Sequence, residues 1–134
     1  MEFKKIVKIL GFFTYPILLF LWNVIITMLG FYDSSPWLDI PMHFIGGIAV
    51  GYSFFLTINY LQENERFQNK GIYIAIFSIA LVSLIAVFWE FYEFGMDYFF
   101  GLNYQPSVAD TMLDFFLGIL GGTFVNLVLF LKKD

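Results

Sequence analysis

The chain has no cysteine among its 134 residues, which excludes disulfides, thiolate metal sites, a cysteine nucleophile and iron–sulfur centres. Charge is scarce as well. Only 13% of residues are Asp, Glu, Lys or Arg, while 60% are hydrophobic and 22% aromatic, and the mean hydropathy is +0.78; soluble domains are not built this way. The chain reads as an integral membrane protein. Its seven basic residues are dispersed, which argues against nucleic-acid binding. Neither a nucleotide-binding glycine loop nor a serine nucleophile elbow is present, so no organic cofactor is expected. With a single histidine, imidazole chemistry rests on His43.

Long apolar runs are abundant. A helix needs about 20 residues to cross roughly 30 Å of hydrocarbon, so residues 1–134 are expected to form one all-α polytopic domain of four transmembrane helices, over about 6–29, 41–61, 71–98 and 108–131. The first run is longer than a signal-peptide core and carries no small-x-small cleavage pattern, so it reads as a retained span. Pro16 should kink it. Asn23 and Thr27 share a face there and suit an interhelical hydrogen bond, with Asn23 also placed to support a polar site. In the second run His43, Gly47 and Gly51 recur every four residues, and Gly46 widens a smooth strip that another helix could approach closely. Gly118, Gly121 and Gly122 serve the same purpose in the fourth.

Lys4, Lys5, Lys8, Arg66, Lys70, Lys132 and Lys133 all fall in the N-terminal head, the middle loop or the C-terminal tail. Four spans put those three places on one side, and the positive-inside rule makes it cytoplasmic. The expected location is the cytoplasmic (inner) membrane, with both termini inside. This topology gathers acidic residues into one layer near the outer face: Asp39 and His43 from the second span, Glu90, Glu93 and Asp97 from the third, Asp110 and Asp114 from the fourth. Within each helix they stand three or four residues apart, the spacing of neighbours on one face.

Other roles are open to several of them. Ser107 and Asp110 together could form a capping box, Asp39 could serve the N-terminus of its helix, and Asp97 could be a solvated interfacial acid that at most supports the cluster from behind. Glu90, Glu93 and Asp114 lie too deep for such explanations. A carboxylate at bilayer depth costs about 2.5–3.5 kcal/mol on insertion scales, and every Lys and Arg is on the other side. Protons or a metal ion must compensate. Oxygen-rich ligation with one imidazole suits Mg²⁺, Mn²⁺ or Ca²⁺, or Zn²⁺ if His43 ligates. The expected metal ligands are Glu90, Glu93, Asp114, Asp110, His43 and Asp39.

The order Asp39-x3-His43, Trp89-Glu90-x2-Glu93 and Asp110-Thr111-x2-Asp114, followed by Gly121, resembles the YjdF-like family of inner-membrane proteins. More distantly, the D-x3-H opening and the glycine-ended acidic helix look like VanZ-like proteins, a group associated with glycopeptide resistance. The resemblance covers about residues 37–122 and implies a membrane protein with a shared polar site. Three functions remain in view: a divalent-cation site serving metal-assisted chemistry on a lipid or polyprenyl headgroup, a proton- or cation-coupled transporter or channel subunit, and a structural accessory subunit. A small unit of this kind could work as a homo-oligomer or beside another membrane protein.

Overall fold

The computed structural model describes residues 3–63 and 71–132. Among the described residues the regular elements are all helical: α1 (Phe3–Phe12), α2 (Thr14–Met28), α3 (Phe31–Ser34), a 3-10 turn (Pro36–Leu38), α4 (Asp39–Glu63), α5 (Gly71–Phe100) and α6 (Val108–Leu131). Three stretches, Pro36–Glu63, Gly71–Phe100 and Val108–Leu131, are long and apolar enough to cross a membrane. The span expected over 6–29, with a kink at Pro16, is two helices, α1 and α2, bent by 48°. Only if the bent pair is one span does it add a fourth candidate to these three. Arg66, Lys70 and Lys133 lie outside the described residues.

The bend has a local cause. Pro16 has no N–H to give the carbonyl four residues back, and its ring crowds that carbonyl, so the helix breaks around Phe13. The exposed acceptor is the Phe12 C=O. It receives the Ser53 hydroxyl of α4 at 2.6 Å, although the same hydroxyl also stands 2.8 Å from the Ala49 carbonyl. One proton thus serves two carbonyls, which is how a broken helix is tolerated where no lipid can donate.

The chain leaves α2 through Gly30, whose φ of 71° is a left-handed conformation glycine adopts without strain. The segment expected as a loop here is α3 and the 3-10 turn. Of Asn23 and Thr27, only Asn23 makes the expected bond between helices. Thr27 donates to the Asn23 carbonyl one turn back at 2.8 Å, and the Asn23 side chain accepts from Tyr32 of α3.

The helices α4, α5 and α6 alternate in direction. Gly101, with φ of 68°, ends α5 as its N–H bonds the Asp97 carbonyl at 2.9 Å, the left-handed stop common at helix C-termini. Ser107 starts α6 by accepting the Asp110 N–H at 3.2 Å. The most extensive contact joins α4 and α6, and glycine makes it. A Cβ on Gly47 would meet the Gly118 backbone, and one on Gly121 would meet the Phe44 carbonyl. A Cβ on Gly122 would meet the Val82 side chain of α5. Gly46, in contrast, has open space around it, so the close strip is narrower than its spacing suggests. These glycine faces pack within the chain. At the other end, Phe55, Ile58 and Ile74 form a small core with Phe54, Leu81 and Leu129, and most remaining large apolar side chains point outward.

Overpacking a tight helix contact costs about 1–3 kcal/mol. Gly47→Ala and Gly121→Ala should therefore each lower the melting temperature in mild detergent, while Gly46→Ala should not. Equal tolerance of all three changes would contradict the backbone contact between α4 and α6.

Candidate functional site

Three helix ends converge on one polar cluster. The first turns of α4 carry Asp39 and His43 one turn apart, α5 brings Glu90 and Glu93 near its C-terminal end, and the start of α6 brings Asp110 and Asp114. His43 Nε2 is 3.3 Å from Asp39 Oδ1 and 3.6 Å from Asp114 Oδ1. The second contact ties α4 to α6. One ligating atom from each of His43, Glu90, Glu93 and Asp114 lies within 4.8 Å of the others, and a second set, Asp39, Asp110 and Asp114, meets the same limit. Asp114 belongs to both.

Depth and burial separate these groups from ordinary surface acids. Glu90, Glu93 and Asp114 are only 5%, 7% and 2% exposed. Glu90 is about 7 Å, and Asp114 about 8 Å, from the midpoint of its own helix at a rise of 1.5 Å per residue. The basic residues that the structure describes are far off. Lys8 sits over the ring of Tyr60, 4.6 Å from its centroid, near the opposite end of α4, and Lys132 closes the opposite end of α6.

Hydrogen bonds hold part of the cluster. Trp89 Nε1 donates to Glu93 Oε1 at 2.8 Å, and Gln105 Nε2 donates to Glu90 Oε2 at 2.8 Å and to the Glu90 carbonyl at 2.9 Å. Gln105 is positioned in turn by Asp97. The Asp97 carboxylate accepts the backbone N–H groups of Tyr104 and Gln105 at 2.7 and 2.8 Å. It folds the loop over the cluster instead of joining it. Two buried oxygens, Glu93 Oε2 and Asp114 Oδ2, have no hydrogen-bond partner among the described residues. Leaving such an atom unpaired costs about 1–3 kcal/mol, more when it is charged.

Asn23 also stands apart, bonded to Tyr32. Burial first, and then the Asp39 and Glu93 carboxylates, push the Tyr32 phenol above its ordinary range. Tyr32 therefore keeps its proton and donates it to Asn23 Oδ1 at the cluster's edge. The aromatic wall is completed by Trp89, which meets His43 and Phe20 edge to face with centroids 6.3 and 5.8 Å away.

Sequence reasoning missed Trp89, Gln105 and Tyr32 as partners of the cluster. Trp89 could have been found, because it precedes Glu93 by one helical turn. Gln105 and Tyr32 carry no periodic signal, since they reach the site from a loop and from a four-residue helix.

The whole chain, residues 1–134, matches a family described as predicted membrane protein (DUF2238). An uncharacterised protein of Thermotoga maritima is 29% identical over 115 residues, which are 85% of this chain and 58% of that protein. The chain thus spans less than two thirds of that relative's length. No solved structure matches. The narrower likeness to YjdF-like and VanZ-like proteins rests on the motifs alone.

Removing a donor should be felt at the carboxylate it serves. Trp89→Phe leaves neither Glu93 oxygen bonded, and Gln105→Leu strips Glu90 Oε2. Each should destabilise the protein by about 1–3 kcal/mol in thermal unfolding, and the two losses should not simply add, because Glu90 and Glu93 stand in one cluster within 4.8 Å of each other.

Proposed function

From the premise that the chain belongs to the family of predicted membrane proteins (DUF2238), we propose that it is a small polytopic protein of the cytoplasmic membrane whose acidic cluster binds a divalent cation. Four crossings with both termini inside are part of this reading. They follow from the one-sided distribution of Lys and Arg, and the place of Lys8 beside Tyr60, away from the acids, agrees with it.

The observation that carries the proposal is a pair of orphaned carboxylate oxygens, Glu93 Oε2 and Asp114 Oδ2, inside a set of four ligating groups within 4.8 Å of one another. Opposite ligands of a cation held at about 2.1–2.4 Å are about 4.2–4.8 Å apart, so the set is of the right size. Three carboxylates and an imidazole suit Mg²⁺, Mn²⁺ or Ca²⁺, and Zn²⁺ through His43. A bound cation would polarise an oxygen ester and lower the pKa of water. That chemistry fits hydrolysis or transfer on a lipid or polyprenyl headgroup at the outer face, with a carboxylate outside the coordination set as base.

One contact favours a second reading. His43 Nε2 between two carboxylate oxygens at 3.3 and 3.6 Å is an arrangement that also holds a proton, as a proton-coupled transporter or channel subunit requires. Inward of the cluster, however, Gly47 meets Gly118 and Gly122 meets Val82 in close contact. That packing suits a one-sided binding site better than a conducting path. A purely structural, accessory role would leave the orphaned oxygens without a purpose.

Elemental analysis of protein purified in mild detergent tests the reading. Expected is a divalent metal bound stoichiometrically, removed by EDTA with a fall in melting temperature and restored by add-back. Glu90→Gln and Asp114→Asn should lose it, and Asp33→Asn, at an exposed acid nearby, should keep it. Metal-free protein whose melting is insensitive to added cations but moves with pH would overturn the proposal in favour of protons.

A further inference from the structure

A single cation held by His43, Glu90, Glu93 and Asp114 leaves Asp39 and Asp110 outside the coordination set, yet these two meet Asp114 within the same limit as the first set. We infer that the cluster is a two-cation centre in which the carboxylate of Asp114 is shared, with His43, Glu90 and Glu93 completing one site and Asp39 and Asp110 the other. The inference rests on the cation-binding reading above and deepens it.

Asp114 has the properties of a bridge. It is 2% exposed, its Oδ1 faces His43 at 3.6 Å, and its Oδ2 is buried with no hydrogen-bond partner among the described residues. A carboxylate carrying one engaged and one free oxygen, common to two ligand sets, can bind two ions without any other residue moving in. Charge points the same way. With His43 neutral and every carboxylate ionised, as ligation requires, the five carboxylates of the two sets carry five negative charges. One divalent ion leaves three of them uncompensated in a low-dielectric layer, whereas two leave one, and uncompensated buried charge is strongly disfavoured.

The two sites differ in access. The first is lined by buried Glu90, Glu93 and Asp114, while Asp39 and Asp110 are partly exposed at the starts of α4 and α6. The outer ion exchanges with water and is the one positioned to meet a ligand. Paired cations about 3.5–4 Å apart clamp the attacking and leaving oxygens of a displacement at phosphorus. They would also supply the positive charge that Lys and Arg do not provide on this side. The ligand class that fits is a phosphate or pyrophosphate ester presented at the outer membrane surface, and the cation pair is what recognises it.

Mn²⁺ titration of the whole protein in detergent, followed by electron paramagnetic resonance, reads both number and proximity. Expected are two Mn²⁺ per chain, the second converting the isolated-ion spectrum of the first into a spin-coupled one. Asp110→Asn should weaken the second ion by about tenfold or more, the scale on which lost metal-site interactions are felt. It should abolish the coupling and leave the first ion bound. Glu93→Gln should weaken the first ion instead. The wild-type spectrum needs no variant to fold. One uncoupled Mn²⁺ per chain would overturn the two-cation centre and leave the single-site reading standing, whereas no bound Mn²⁺ would overturn both.

Discussion

The close approach of α4 and α6 is the constraint on which the polar cluster depends. Lipid offers no hydrophobic force to press helices together, so contact must come from packing, and packing is tightest where side chains are absent. Gly47 on α4 and Gly118 on α6 touch backbone to backbone. His43 precedes Gly47 by one turn, and Asp114 precedes Gly118 by one turn. A single contact therefore sets both groups at one depth, and the 3.6 Å between His43 and Asp114 follows from it. A side chain at Gly47 would run into the Gly118 backbone and move the imidazole away from the carboxylate.

The cluster is the place where the sequence works against its own environment. Apolar helices in a bilayer gain nothing from buried acids, yet Glu90, Glu93 and Asp114 are more buried than most of the apolar side chains around them. Such local conflict is characteristic of functional sites. The surrounding residues hold this conflict in place without removing it. Trp89 and Gln105 each satisfy one oxygen, Asp97 folds the loop that carries Gln105, and Tyr32 stays protonated against Asn23 at the margin. Two carboxylate oxygens, Glu93 Oε2 and Asp114 Oδ2, are left over without a partner among the described residues.

The break between α1 and α2 shows the same accounting for backbone groups. Pro16 frees the Phe12 carbonyl, and a serine on a different helix supplies the donor. The Ser53 hydroxyl is fully buried, as are Ser78, which donates to the Gly51 carbonyl at 3.1 Å, and Asn126, which donates to the Gly122 carbonyl at 2.7 Å. Small polar side chains inside the bundle are thus spent on carbonyls at or beside its glycines and its proline. The acidic cluster differs in that two of its oxygens, Glu93 Oε2 and Asp114 Oδ2, find no donor among the described residues, a lack shared by Asn126 Oδ1.

Much about this protein follows from the chain alone. Hydrophobic runs over 71–98 and 108–131 foretell α5 and α6 because a membrane helix must satisfy its own backbone, and i,i+4 spacing puts Asp39 with His43 and Asp110 with Asp114 because a helical turn has one length. The sequence likewise keeps Lys and Arg out of the runs that carry Asp39, His43, Glu90, Glu93, Asp110 and Asp114. Tertiary structure alone decided the rest. It left Gly46 open while closing Gly47, a difference of helix rotation that spacing cannot resolve. It also recruited Gln105 and Tyr32 from segments without periodicity, and it made Asp114 common to two ligand sets. Those outcomes depend on which faces of different helices meet, and periodicity along one helix carries no information about the rotation of its neighbour.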